Sequence, residues 1–130
     1  MQSLGSERRA LARMTVLVVE DDRHTREMYA ELLHAHGALA VEAASVRDAL
    51  RVLAGLAPDA AIVDLALGGT NGRELIAVMR DHPIWAHVRC VVASGDLAAA
   101  SALPAGVAFL HKPIALEALV HAIGARRAGD

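Results

Sequence analysis

Shortages set the first limits on this 130-residue chain. Aromatic residues are the scarcest class, and Tyr29, Trp85 and Phe109 are the whole set. With 55% of residues hydrophobic, the core has to be made mainly of Ala, Val and Leu. Cysteine occurs once, as Cys90. That excludes an internal disulfide framework and suits a reducing cytoplasm, the expected location. No apolar run approaches the ~18 residues of a membrane span, so no membrane partner is expected. The opening MQSLGSERRALAR has Arg8, Arg9 and Arg13 but no apolar centre, so it is not a secretory signal. Charge of one sign is not in excess either. A net charge of -2 gives no electrostatic case for nucleic acid. Lysine is the last shortage: the 13 basic residues are all arginine except Lys112. A compact ammonium does not replace a planar guanidinium, so Lys112 reflects either the geometry of a site or chance.

What the chain does contain is alternation. The length suits one domain with its own core. Residues 1–13 read as a polar tail or short helix, and the domain proper is expected over 14–130. Thr15-Val16-Leu17-Val18-Val19 is a continuous β-branched run of the kind found in central parallel strands. Residues 23–36 follow with Met28, Tyr29, Leu32 and Leu33 at helical spacing, and Gly37 is placed as the stop. Residues 38–43 form a weaker strand. Ser45 is an N-cap for a helix to about Leu56. Strand three is Ala60–Asp64, and a helix is expected over 72–81. A fourth strand covers 88–93 and ends at Ser94. A short helix is expected over 97–103, a fifth strand over 107–110, and a last helix over about 116–127. Strict βα alternation implies a doubly wound α/β fold, with five parallel strands and helices on both faces.

The strand ends carry the chemistry. The first strand ends in Glu20-Asp21-Asp22, the third in Asp64, the fourth in Ser94 and the fifth in Lys112. A parallel sheet brings these ends to one edge, where open α/β sheets bind ligands. Two carboxylates 4 Å apart repel by roughly 4 kcal/mol at an effective dielectric of 20. Such a cluster therefore calls for a cation, and oxygen donors without His or Cys suit Mg²⁺ or Mn²⁺. A carboxylate nucleophile, a metal, an ammonium and a hydroxyl are the parts that phosphoryl transfer uses. Taken singly, each has a plain alternative. The acidic triplet also fits solvated charge at a helix start, Asp64 a turn residue, and Ser94-Gly95 a cap. Phe109 also fits a core position. The seven histidines show no HxxH or HExxH spacing and read as surface residues.

Taken jointly, the acid pair, the acid, the hydroxyl and Lys112-Pro113 resemble the receiver domain of two-component response regulators. The resemblance runs from about Thr15 to Arg127. It implies the strand order 2-1-3-4-5 and makes Asp64 the phosphoacceptor. It also implies that Asp21, Asp64 and the backbone carbonyl of Ala66 ligate Mg²⁺, with Glu20 acting through water. Ser94 and Lys112 then contact the phosphoryl group, Ser94 and Phe109 form the switch, and the Lys112-Pro113 peptide is cis. The implied donor is a histidine kinase or a histidine phosphotransfer protein, and the output protein is open. No DNA-binding domain is expected in the chain, which is either a stand-alone regulator or part of a hybrid protein. Enzymatic activity is expected only as self-phosphorylation and autodephosphorylation. Three features depart from the family. Gly68 stands where many members have Pro, which predicts a looser loop. Phe109 replaces the commoner Tyr. DLAAASALPAG has few charges for a dimer surface. A phosphatase of the haloacid dehalogenase type is the enzymatic alternative, but it wants a second Asp where this chain has Ala66. A degenerate receiver serving only as a binding module is the other.

Overall fold

A computed structural model describes residues 10–125. Strand β1 (Thr15–Val19) leads into helix α1 (Arg23–Ala35), strand β2 (Leu39–Ala43) and helix α2 (Val46–Gly55). Strand β3 (Ala60–Asp64) is followed by two short strands, β4 (Ala66–Leu67) and β5 (Thr70–Asn71), and by helix α3 (Gly72–Asp81). Strand β6 (Arg89–Ser94), a 3₁₀ helix (Leu97–Ala102), strand β7 (Ala108–His111) and helix α4 (Leu116–Gly124) complete the described chain. The main sheet has the order β2-β1-β3-β6-β7 and is parallel throughout. Without the two short strands, this is the expected 2-1-3-4-5 topology.

The apolar runs explain the layering. Alternate residues of a strand face opposite sides, and both sides here meet helices. Leu17, Val19, Ala61, Val63 and Val92 pack with Leu53, Leu75, Ile76 and Met79 of α2 and α3. Val16, Val18, Ile62 and Val91 pack with Tyr29, Leu33, Leu119 and Ile123 of α1 and α4. All five residues of β3 are buried, as a central strand requires. Local signals start the helices. Asp22 caps α1 by accepting from the Thr25 amide at 2.9 Å and its hydroxyl at 2.6 Å. Ser45 caps α2 by accepting from the Asp48 amide at 3.0 Å.

One expectation is revised. Residues 10–13 are not free of the domain, because Leu11 is fully buried in the α1/α4 core. Its amide donates to the His36 carbonyl at 2.9 Å. One leucine flanked by alanines after a polar stretch is too weak a periodic signal to have shown this. The segment 97–102 is a 3₁₀ helix, and Ser101 donates its hydroxyl back to the Ala98 carbonyl at 3.0 Å. The last helix is described to Gly124, and the expected extension to 127 lies outside the described residues. Among the described residues, no helix is long and apolar enough to cross a membrane.

Candidate functional site

The site forms where β1, β3, β6 and β7 end. The register aligns Val19 with Val63 and Asp64 with Ala93, so residues just beyond β1 stand beside Asp64. Glu20 is 1% exposed and Asp64 5%. Carboxylate oxygens of Glu20, Asp21 and Asp64 all lie within 4.8 Å of one another. The Lys112 ammonium bridges two of them, at 2.8 Å from Glu20 Oε1 and 2.6 Å from Asp64 Oδ2. The remaining oxygens meet backbone donors. Asp64 Oδ1 accepts from the Ala66 amide at 2.9 Å, and Glu20 Oε2 from the Asp22 amide at 3.1 Å. Contacts of this length between charged groups fix geometry as well as contributing energy.

The electrostatics are unbalanced as they stand, since one ammonium faces three carboxylates. Burial pushes the Glu20 carboxyl up to about 7, against the opposing hydrogen bonds from Lys112 and the Asp22 amide. The nearby Asp64 carboxylate adds to that rise. Burial works against the Lys112 charge, but hydrogen bonds to Asp64 and Glu20 outweigh it and hold the ammonium above its ordinary range. The charged form of Glu20 is thus disfavoured beside Asp64, and a second cation would relieve the repulsion. Hard oxygen donors on three adjacent residues fit a divalent ion such as Mg²⁺ or Mn²⁺.

Other expected residues take definite places. Ser94 is 8% exposed, and its hydroxyl oxygen accepts from the Asp96 amide at 3.0 Å. Its carbonyl accepts from the Lys112 amide at 2.8 Å, which ties the ends of β6 and β7 together. The Lys112-Pro113 peptide is cis. Phe109 stands back from the carboxylates. It pairs with Val92 in the register and is half-buried against the α2/α3 core. Ala66 contributes its amide to Asp64 and begins β4.

The glycine loop after Asp64 is more ordered than its composition suggests. β4 and β5 pair antiparallel, with Gly68 and Gly69 at φ of 39° and 86° forming the turn between them. Two consecutive positive φ values suit a two-residue hairpin, and glycine accepts them without steric cost. Gly72 is required for another reason. A Cβ there would lie 2.3 Å from the Asp64 carbonyl oxygen. The start of α3 is thereby pressed against the backbone of Asp64.

Arg26 was not identified from the sequence. Its guanidinium donates to the Glu20 carbonyl at 3.0 Å and to Glu42 at 3.2 Å, bracing the turn that carries the acid pair. Its place off the apolar stripe of α1, one turn past the acids, was the available signal.

The response regulator receiver domain model matches residues 16–124. A 14.6 kDa protein in the sodA1 3′ region of Leptolyngbya boryana is 36% identical over 73 residues, covering 56% of each chain. The Regulator of RpoS of Escherichia coli K12 is 35% identical over 101 residues, covering 76% of this chain and 30% of that protein. The chain therefore spans less than two thirds of the length of either relative. Among solved structures, a response regulator receiver protein from Pseudomonas putida is 32% identical with a TM-score of 0.78, covering 86% of this chain and 96% of that one. A sensor protein from Polaromonas sp. JS666 is 26% identical with a TM-score of 0.78, covering 85% and 93%.

Proposed function

The chain belongs to the response regulator receiver domain family, and from that premise we propose that Asp64 accepts a phosphoryl group from a phosphohistidine and thereby switches partner binding. One observation carries this reading. Lys112, from the far edge of the sheet, bridges Glu20 and Asp64 within 2.8 Å. Among the described residues, Glu20 and Asp64 are the buried carboxylates, and the chain's single lysine contacts both.

An oxygen of the ionised Asp64 carboxylate attacks phosphorus, and the nitrogen–phosphorus bond of the donor breaks. The imidazole leaves with the bonding pair, and Asp64 becomes an acyl phosphate. Lys112 holds the carboxylate before transfer and a phosphoryl oxygen after it. Ser94 can donate its hydroxyl proton to another phosphoryl oxygen while still accepting from the Asp96 amide. Asp21, Asp64 and the Ala66 carbonyl, with Glu20 through water, would hold a Mg²⁺ or Mn²⁺ ion, which would neutralise charge on the phosphoryl group. Drawing Ser94 inward moves the segment behind it, and Phe109 follows. The surface made by the 3₁₀ helix, β7 and α4 then changes its partner preference.

The donor in this reading is a histidine kinase or a histidine phosphotransfer protein in the cytoplasm. The receiver unit includes Leu11, so its working boundary lies before residue 11. The domain signals and does not turn over external substrate. A haloacid-dehalogenase-type phosphatase is disfavoured by Ala66, which occupies the position of that chemistry's general acid. Incubation with acetyl phosphate and Mg²⁺ tests the assignment. Wild type should acquire one acid-stable, base-labile phosphoryl group, and Asp64→Asn should fall to background. Equal labelling of Asp64→Asn would overturn the reading.

A further inference from the structure

The segment from Gly95 to Ala102 holds little of itself in place. Ala99 is the one buried residue of the 3₁₀ helix, and Leu97 is 64% exposed. Asp96 is the single charge between Gly95 and Pro104, and its carboxylate accepts from the Ala98 amide at 3.0 Å. Two side chains from neighbouring elements grip the segment instead. His111, the last residue of β7, places Nε2 3.1 Å from the Gly95 carbonyl oxygen. Arg73, in the first turn of α3, directs Nη1 to the Ala102 carbonyl at 3.3 Å and Nη2 to the Ala99 carbonyl at 3.4 Å.

The two grips act at opposite ends. His111 fixes the residue immediately after Ser94. Arg73 takes the Ala99 carbonyl in the middle of the short helix and the Ala102 carbonyl at its C-terminal end, where the last turn leaves acceptors without intrahelical donors. Both side chains are anchored in the site. His111 precedes Lys112, which holds Glu20 and Asp64. Arg73 follows Gly72, which is pressed against the Asp64 backbone.

We propose that Arg73 and His111 are positioning residues that strap Gly95–Ala102 in place, so that phosphorylation of Asp64 must move Ser94 against both straps. The coupling rests on the phosphoacceptor reading above. Neither side chain meets the reacting atoms, so each acts on an equilibrium between a strapped and a displaced arrangement. A net hydrogen-bond contribution of ordinary size corresponds to roughly threefold to tenfold in that equilibrium for each strap. Removing a strap enlarges the displaced population, and a ligand that favours that population gains affinity by up to the same factor.

Amide hydrogen exchange on the unmodified full chain tests the straps. Arg73→Ala and His111→Ala should each speed exchange over residues 96–103 by roughly threefold to tenfold, with the factors multiplying in the double variant. Exchange in β1 and β3 should stay at the wild-type rate. Arg73→Lys and His111→Gln keep a donor and should lie between wild type and the alanine variants, and they serve if an alanine variant fails to fold. In Mg²⁺, the acyl-phosphate mimic beryllofluoride should bind the alanine variants more tightly than wild type. Unchanged exchange over 96–103, or equal acceleration in all strands, would overturn the straps. Faster local exchange with unaltered beryllofluoride affinity would overturn the coupling to Asp64. Failure of wild type to bind beryllofluoride would strike the phosphoacceptor reading itself, and the exchange measurement would still decide the straps.

Discussion

The two flanks of Asp64 are built differently. On one side stand β1, the acid pair and the start of α1, together with the hairpin and α3. Val16–Val19 and Glu20 are buried, the helices are capped by Asp22 and Asn71, and Gly72 leaves no space at the Asp64 carbonyl. On the other side stand Ser94, the 3₁₀ helix and β7. The described residues of β7 are half-buried or exposed, and the 3₁₀ helix buries one alanine. The first flank brings carboxylate oxygens of Glu20, Asp21 and Asp64 within 4.8 Å of one another, a donor set that suits a divalent ion. The second is held by few apolar contacts and by the hydrogen bonds from Arg73 and His111, and few buried apolar contacts are the physical condition for low local stability. In the proposed reading, chemistry and readout lie on opposite sides of one strand. Lys112 is the contact that joins them, since it extends from the end of β7 to carboxylates that follow β1 and end β3.

Paired glycine substitutions are the strongest way to break this contrast. Gly72→Ala forces a methyl against the Asp64 backbone and should cost about 3 kcal/mol of stability, read from denaturant midpoints. Gly95→Ala meets no atom within 4 Å and should change stability by less than about 0.5 kcal/mol. Comparable losses at the two positions would mean that the flanks are equally tight.

Lys112→Ala cuts the link between the flanks. The lysine side chain is 28% exposed, and Glu20 can take up a proton in response, so the loss should be limited to about 1–2 kcal/mol without metal. Mg²⁺ should then raise the variant's midpoint by more than it raises that of wild type. An equal rise in both would show that the ammonium and the metal do not share the same carboxylates.

The smallest expected effect belongs to the acid flank alone. Glu20 is raised to about 7 from the ordinary 4.5. A folded-state value above the unfolded one means that the stability due to protonated Glu20 is full below the unfolded value. It is lost as pH rises through about 7. Mg²⁺ prefers the ionised carboxylate, so its apparent affinity should fall by up to about tenfold between pH 7 and pH 6. A Mg²⁺ titration at several pH values checks this, and Glu20→Gln should flatten the dependence.

Much of this was legible before any coordinates. The apolar runs at Thr15–Val19 and Ala60–Val63 lie within their observed strands because central parallel strands are apolar on both faces. Asp22 and Ser45 sit at helix starts because capping is a local hydrogen bond. The polar residues at four strand ends pointed to one edge because parallel strands share a direction. Leu11 was not legible, since its burial depends on a gap between α1 and α4 that no local pattern records. Nor were β4 and β5, since the sequence GGTN reads as slack until its two turn glycines are seen to close a hairpin. The 3₁₀ geometry of 97–102 was likewise obscured, because a run of alanines favours helix without choosing its pitch.

The sequence by itself determined the alternation of strands and helices, the identity of the acidic, hydroxyl and ammonium groups, and their order along the chain. These follow from periodicity, capping and residue chemistry, which act over a few neighbouring positions. Tertiary structure alone decided that Lys112 spans to both Glu20 and Asp64, that Gly72 meets the Asp64 carbonyl, and that Arg73 and His111 reach the segment behind Ser94. Each of these joins residues distant in sequence, and their distances depend on how the whole sheet twists and packs.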